Sequence, residues 1–293
     1  MKNKRKVLLV LLALVLLAGT VWAGVSAYVC SREVRVVSYE VETALTKEIR
    51  LVHLTDLHSM VFGEENDVLI DLVAEAGPDL ILMTGDMVDR RDENADVACA
   101  LIRALTDIAP VFYCYGNHEY NWMAARGESL TAVLEEAGAV VLDVSWLDLE
   151  VKGQPIRLGG YHGYYRQPGM YVVTDAEHQR QLDFCDDFEN TDRYKILMNH
   201  VPTAWLEWGY MDTCPVDLVL SGHYHGGLIR LPLIGGLYVP YVGLFPEYTG
   251  GLFEGEQATC ILSTGMGPGA GIPRINNLPQ IVVVDLICEY EGE

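Results

Sequence analysis

Asp79-Leu80-Ile81-Leu82-Met83-Thr84-Gly85-Asp86 is an apolar run closed by a glycine and a carboxylate. Its core has no polar alternation, so it reads as a strand buried on both faces, as strands of parallel sheets are. Gly85 lets the backbone approach closely and leaves Asp86 at the carboxyl end of the strand. The pattern recurs along the chain. Ile49 to Thr55 leads into Asp56-Leu57-His58, and Val111 to Tyr115 leads into Gly116-Asn117-His118-Glu119. Tyr194 to Met198 leads into Asn199-His200, and Val216 to Leu220 into Ser221-Gly222-His223-Tyr224-His225. In extended chain, residues two apart point the same way, so Asp56 with His58, and His223 with His225, can each face one point. Open α/β sheets build their sites at the carboxyl ends of strands, so an α/β fold is expected, with its site there.

Five of the eight histidines lie in these motifs. The mixture of imidazole, carboxylate and amide oxygen, without cysteine, suits Mn²⁺, Zn²⁺ or Fe. A carboxylate can bridge two ions, and Asp86 is the natural bridge. Two ions about 3.5–4 Å apart stabilise both the attacking and leaving oxygens of a displacement and generate hydroxide near neutral pH. Phosphate esters are among the slowest bonds to hydrolyse unaided, so they are the task such a pair suits.

The ordered set Asp56-x-His58, Gly85-Asp86, Gly116-Asn117-His118-Glu119, His200 and Gly222-His223-x-His225 resembles the calcineurin-like metallophosphoesterase superfamily. The N-terminal apolar segment and Ser221 to Gly227 look like its membrane-associated bacterial branch. The match runs from Asp56 to His225, with a weaker tail to about Gln280. The resemblance implies a four-layer α/β/β/α sandwich. It implies one metal held by Asp56, His58, Asp86 and His225, and a second by Asp86, Asn117, His200 and His223. His118 would contact the phosphate and protonate the leaving oxygen, and hydroxide between the metals would be the nucleophile. Glu119 stands where this branch usually has Asp, Leu228 where Gln is common, and Gln280 where Glu is common. Gly85 to Arg90 is similar to the protein Ser/Thr phosphatases, whose other motifs do not follow. Asp89 stands three residues after Asp86, where purple acid phosphatases have a tyrosinate ligand, so a purple Fe(III) centre is not expected.

Taken singly, Asp56 would be a helix cap and Gly85-Asp86 a turn; Asn117 would be a turn residue and His200 a core histidine. It is their company that makes them ligands. His53 alternates with Leu51 and reads as a packed residue, His162 as packed or lining the site, and His178 as solvated. Arg90 and Arg91 are surface residues or phosphate contacts. Arg274 either positions the tail loop or binds an anionic substrate.

The chain opens with a basic cluster, Lys2 to Lys6, followed by Val7 to Val29, 23 residues without a charge. A bilayer core about 30 Å thick takes around 20 helical residues. Residues 1–30 therefore read as a cytoplasmic tip and transmembrane anchor, with the catalytic domain, 31–293, on the extracytoplasmic side. The alternative is a signal peptide cleaved after Ala23 or Ala27, releasing the domain. Plausible helices are Glu64–Ala76, Asp92–Thr106 and Asn121–Ala137. Shorter strands follow at Trp146–Val151, Ile156–Gly159, Leu228–Leu231, Thr259–Ser263 and Ile281–Leu286.

Net charge is −21, and the first six residues carry four of the positive charges, leaving −25 on the rest. That argues against nucleic acid as a partner. Seven cysteines have no zinc-like pairing. Cys99, Cys114, Cys260 and Cys288 sit in apolar runs and read as core residues, while some of the seven could pair outside the cell. The run Leu231 to Phe253, rich in Leu, Tyr, Gly and Pro, reads as a hairpin packed on the core, or as an apolar wall of the substrate groove at the membrane face. With an anchor on the same chain, the expected substrate is a phosphate ester, soluble or lipid-linked. The competing functions are a non-catalytic metal-binding scaffold that kept the fold, against which the intact ligands and His118 argue, and a metal-capture protein, which has no use for the Asn117-His118-Glu119 triplet.

Overall fold

The run Leu80–Thr84 is a strand with every residue buried, and it lies inside a six-stranded sheet. The computed structural model describes residues 2–168, 174–269 and 271–288. With strands numbered in chain order, the first sheet runs from edge to edge as β1 (Arg35–Thr43), β16 (Gln280–Cys288), β2 (Ile49–Leu54), β3 (Leu80–Thr84), β4 (Val111–Cys114) and β5 (Val140–Val141). Its neighbours pair in parallel except β16 with β2. The second runs β14 (Gly251–Glu254), β15 (Thr259–Leu262), β9 (Leu218–Ser221), β8 (Tyr194–Asn199), β7 (Gln154–Tyr161) and β6 (Ser145–Val151). Only its outer pairs are antiparallel.

Strand alternation divides the core into three layers. Leu80 and Leu82 point to the space between the sheets, where they join Ile156, Leu158, Ile196, Met198, Leu218, Leu220 and Ile261 of the second sheet. Ile81 and Met83 point outward, under Leu69 and Val73 of α2 (Asp67–Ala76), Leu101, Ile102 and Leu105 of α3 (Asp96–Thr106) and Leu134 of α5 (Thr131–Glu136). On the outer face of the second sheet, Leu197 and Val219 pack under Phe184 and Phe188 of α6 (Asp175–Glu189) and Trp205 of α7 (Thr203–Leu206). The layers are therefore α/β/β/α, each sheet being apolar on both faces because both are covered.

Helix boundaries shift from the expected ones for local reasons. Glu65 and Asn66 hold positive φ, and α2 starts only at Asp67. In place of one helix over Asn121–Ala137, α4 (Asn117–Arg126) begins at the glycine-capped motif and stops at Gly127, with α5 following. The expected strand Leu228–Leu231 shrinks to β10 (Arg230–Leu231), because His225 to Gly227 forms a 3₁₀ turn and Leu228 has a φ of 60°. β10 pairs with β11 (Gly235–Gly236), and β12 (Tyr238–Val239) pairs with β13 (Gly243–Leu244). The two small hairpins are rooted in the core by Val239, which is fully buried against the outer face of the second sheet, while their tips stand clear of it: Leu233, Ile234, Tyr241, Leu244 and Phe245 are exposed.

α1 (Lys2–Cys30) is long and apolar enough to cross a membrane, a test that a signal sequence also passes. The end of α1 rests on the domain, where Ser26 Oγ accepts the backbone N–H of Asn276. All seven cysteines are free thiols; six are buried and Cys288 is half-buried.

Candidate metal centre

The expected ligands gather at the carboxyl ends of five strands. Asp56 and His58 follow β2, Asp86 follows β3, Asn117 opens α4 after β4, His200 follows β8, and His223 and His225 follow β9. Asp56, His58, Asp86 and His225 each offer one donor atom, all within 4.8 Å of one another, and Asp86, His200 and His223 form a second such set. Asn117 Oδ1 lies 3.3 Å from His200 Nε2, in the second set's neighbourhood. Asp86 belongs to both sets. Asp56, His58, Asp86, His223 and His225 all have φ between 46° and 70°. Left-handed backbone at five non-glycine residues is local strain, and it is what turns these side chains towards one another. The glycines make the approach possible: a Cβ on Gly116 would lie 2.3 Å from Asp86 Oδ1, and one on Gly222 would lie 2.2 Å from Asp56 Oδ2.

The donors suit cations. His200 Nδ1–H donates to the Thr84 carbonyl at 2.7 Å, which leaves the Nε2 lone pair facing Asp86 Oδ2 at 3.4 Å. That backbone bond sets the tautomer a metal needs. His58 Nε2 faces His225 Nε2 at 3.3 Å, and neither Nδ1 has a hydrogen-bond partner. Asp56, Asp86 and His200 are at most 1% exposed. Groups of this kind, packed out of water, call for a compensating charge. Burial disfavours a charge on His200, but the Asp86 carboxylate outweighs it and pushes the imidazole up to about 9. Burial pushes the Asp56 carboxyl up as well.

Glu119 organises the loop beneath. Its carboxylate accepts the N–H groups of Asp86, Met87, Val88 and Gly116 and the Tyr113 hydroxyl. Burial, then Asp86, pushes Glu119 up. His118 is half-buried beside the cluster, its ring centroid 4.3 Å from that of His58. Its Nδ1 accepts the Arg90 N–H at 3.2 Å, so the neutral ring carries its proton on Nε2. Asp89 Oδ2 lies 3.5 Å from the same His118 nitrogen and 3.6 Å from His58 Nδ1. In the sequence Asp89 shows only as the residue that replaces a tyrosine. Its spacing after Asp86 was the signal that could have revealed it.

A cavity of about 220 Å³ opens onto Asp86, Asn117, His118 and His223, with Arg90 and Tyr241 at its sides. Arg91 also borders it and is paired with Asp89 at 2.8 Å. Arg274 is elsewhere: it is 4% exposed, and donates Nε to the Gly267 carbonyl and Nη2 to the Thr264 carbonyl. It clasps the tail loop from behind. His53 bonds Thr84 Oγ1 at 2.7 Å, and His162 lies 3.6 Å from Asp143 with its ring centroid 3.9 Å from that of Tyr120, tilted by 36°. Asn199 braces the second sheet, donating to the Tyr161 and Gly163 carbonyls and accepting from Trp205 Nε1.

The layered fold and its clustered histidine and carboxylate donors define a metallophosphoesterase. Residues 49–227 match the calcineurin-like phosphoesterase family, and the chain belongs to it. It is a hydrolase acting on phosphate esters. An uncharacterized metallophosphoesterase of Aquifex aeolicus is 30% identical over 260 residues, covering 86% of this chain and 91% of its own. The Campylobacter jejuni metallophosphoesterase Cj0846 is 29% identical over 279 residues, covering 93% of this chain and 68% of its own. The Escherichia coli phosphodiesterase YaeI is 26% identical over 246 residues, covering 81% and 82%. A solved 5′-nucleotidase precursor from Thermus thermophilus superposes with a TM-score of 0.49 at 16% identity, covering 75% of this chain and half of the other.

Proposed function

We propose that the chain hydrolyses phosphate esters with two divalent ions, one held by Asp56, His58, Asp86 and His225 and the other by Asp86, Asn117, His200 and His223. The observation that carries this reading is the position of Asp86, the one carboxylate common to both donor sets. The bound pair would supply Lewis acidity and a water of lowered pKa. The chain's own residues do the rest. Arg90 brings positive charge to the cavity for a phosphate oxygen, as guanidinium groups do. Burial pulls the His118 ring down to about 4, against Asp86 and Asp89, so it is the ring protonated beside a bound phosphate, with Asp89 as counter-ion, that gives its Nε2 proton to the leaving oxygen and returns to the neutral form. Arg274 holds the loop that carries Pro268 to the cavity rim. Ligand chemistry of this kind accepts Mn²⁺, Zn²⁺ or Fe²⁺.

The reading is tested with Mn²⁺-loaded protein on a chromogenic phosphodiester and its monoester. Turnover lost in Asp86→Asn supports it, and the ratio of the two rates decides between diesterase and monoesterase. Two bound metals without turnover on any ester would favour the scaffold.

The preferred substrate we propose is membrane-proximal and lipid-linked, met by an anchored domain on the extracytoplasmic side. Tyr241 supports it: this residue lines the cavity yet is 93% exposed, in the same hairpin region as exposed Leu244 and Phe245. An apolar lip of this kind suits a substrate whose tail stays in lipid. Replacing Leu244 and Phe245 by serine should slow hydrolysis of a phospholipid in vesicles and spare a soluble ester. Equal effects on both would remove the lipid reading and leave the enzyme.

A further inference from the structure

A second crevice, of about 370 Å³, lies against the last turns of α1 and shares no lining residue with the cavity at the metal centre. One wall is apolar: Trp22, Val25 and Val29 of α1. The other is cationic and polar: Arg35 at the start of β1, Arg230 of β10, and Asn276. Among the described residues, no ion pair involves either arginine. Arg35 Nη2 donates to Gln280 Oε1 at 2.8 Å and Arg230 Nη1 to Thr249 Oγ1 at 3.3 Å, both neutral acceptors. Two guanidinium groups are thus drawn together without a counter-ion, in a chain whose net charge is −21. Partial burial, then the neighbouring Arg35, pulls Arg230 below its usual value, a sign that the pair lacks an anion.

Position supplies the ligand's second property. The crevice meets α1 at residues 22–30, where the apolar run ends and the domain begins. A tryptophan there has the amphipathic character of residues that sit at the level of lipid headgroups. The helix is docked at this place, through Ser26 and Asn276. Asn276 in turn donates its side-chain N–H to the Arg230 carbonyl, tying helix, tail loop and hairpin root together.

We propose that this crevice binds the phosphate of an anionic phospholipid, with Arg35 and Arg230 on the phosphate oxygens and an acyl chain along Val25, Val29 and Trp22. A free phosphate ester offers the same anion, but only a lipid also covers the apolar wall. The site holds an otherwise acidic domain against a membrane whose headgroups would repel it. The inference rests on α1 being kept as an anchor, and is independent of the catalytic reading.

The test uses the full chain purified from membranes in a mild non-ionic detergent, with its intact mass measured first. Native mass spectrometry then compares phosphatidylglycerol with phosphatidylcholine. Retention of phosphatidylglycerol in preference to phosphatidylcholine by about tenfold is expected, and a loss of about tenfold in Arg35→Gln/Arg230→Gln. Arg230→Gln alone, which leaves β1 untouched, should lose part of it, and Arg230→Lys should keep more. Soluble-ester turnover in these variants should stay at the parent level, which also reports folding. Equal binding of the two lipids, or full retention in the double variant, overturns the proposal. Displacement by glycerol phosphate at the concentration at which the lipid itself competes would mean a soluble anion, and overturns the lipid assignment. A mass showing cleavage near residues 23–30 removes the site and leaves the esterase reading standing. Lipid selectivity in a chain without esterase turnover would have the opposite meaning.

Discussion

The Glu119 carboxylate of α4 accepts the backbone N–H of Asp86 at 2.8 Å. The residue that caps one helix therefore fixes the loop that carries the carboxylate shared by both donor sets. Glu119→Gln puts an amide N–H₂ against buried N–H donors. Each donor left unsatisfied costs about 1–3 kcal/mol. Thermal unfolding should move to lower temperature and metal content should fall. An unchanged melting temperature with full metal content would refute this role.

Asp86→Asn should weaken both metal sites at once. Bound metal should fall from about two per chain to below one, and turnover by at least about 100-fold. Asp56→Asn touches one donor set and should cost chiefly one equivalent. Elemental analysis separates the two, and equal metal loss in both variants would mean that Asp86 is not shared.

Metal removal should destabilise the fold, because ions that bind only the native state stabilise it by about 2.7 kcal/mol at a hundredfold excess over Kd. In the metal-free protein His200 is pushed up to about 9, so an ion must displace its proton. Metal affinity should accordingly drop between pH 8 and pH 6, with protons released on binding. Calorimetry in two buffers of different ionisation enthalpy measures that release. A chelator without effect on unfolding would argue against a resident metal.

Burial acts to raise the Asp143 carboxyl, but His162 and the Tyr120 hydroxyl outweigh it and hold it below the usual value. A carboxylate depressed in the folded state adds stability that is present above its unfolded value, about 4, and is lost as pH falls through its folded value. Asp143→Asn should therefore be less stable than the parent by about 1–2 kcal/mol at pH 7. The difference should shrink below about pH 4. Urea unfolding across that range checks it, and a pH-independent gap would exclude the ionic contribution.

Sequence carried the centre of the molecule well. Leu80 to Met83 could be read as a strand buried on both faces because every position is apolar, and the donors behind each such strand stand in one order. Local pattern was weaker where a single backbone angle decides the element. Asn66 and Gly127 end or delay helices through left-handed conformations that periodicity does not register. The hairpins at Leu231 to Phe253 were ambiguous for a different reason. Leu233 and Phe245 are as hydrophobic as core residues, and composition does not distinguish a side chain facing protein from one facing outward. Asp89 and Glu119 act through backbone N–H groups and ring nitrogens, partners that only the folded chain brings near.

β1 has a single neighbour, β16, aligned from Arg35 opposite Gln280 to Thr43 opposite Cys288. The two ends of that pair are 245 positions apart. Made at about 5–20 residues per second, the chain would present β1 for roughly 10–50 s before its neighbour exists. Throughout synthesis this strand is an open edge able to pair with another nascent copy. Arg35, Glu40 and Glu42 all lie exposed on it, and charges of that kind deter such pairing. The strand is thus written for the interval before folding as well as for the finished sheet, and its acids should matter to yield before they matter to turnover.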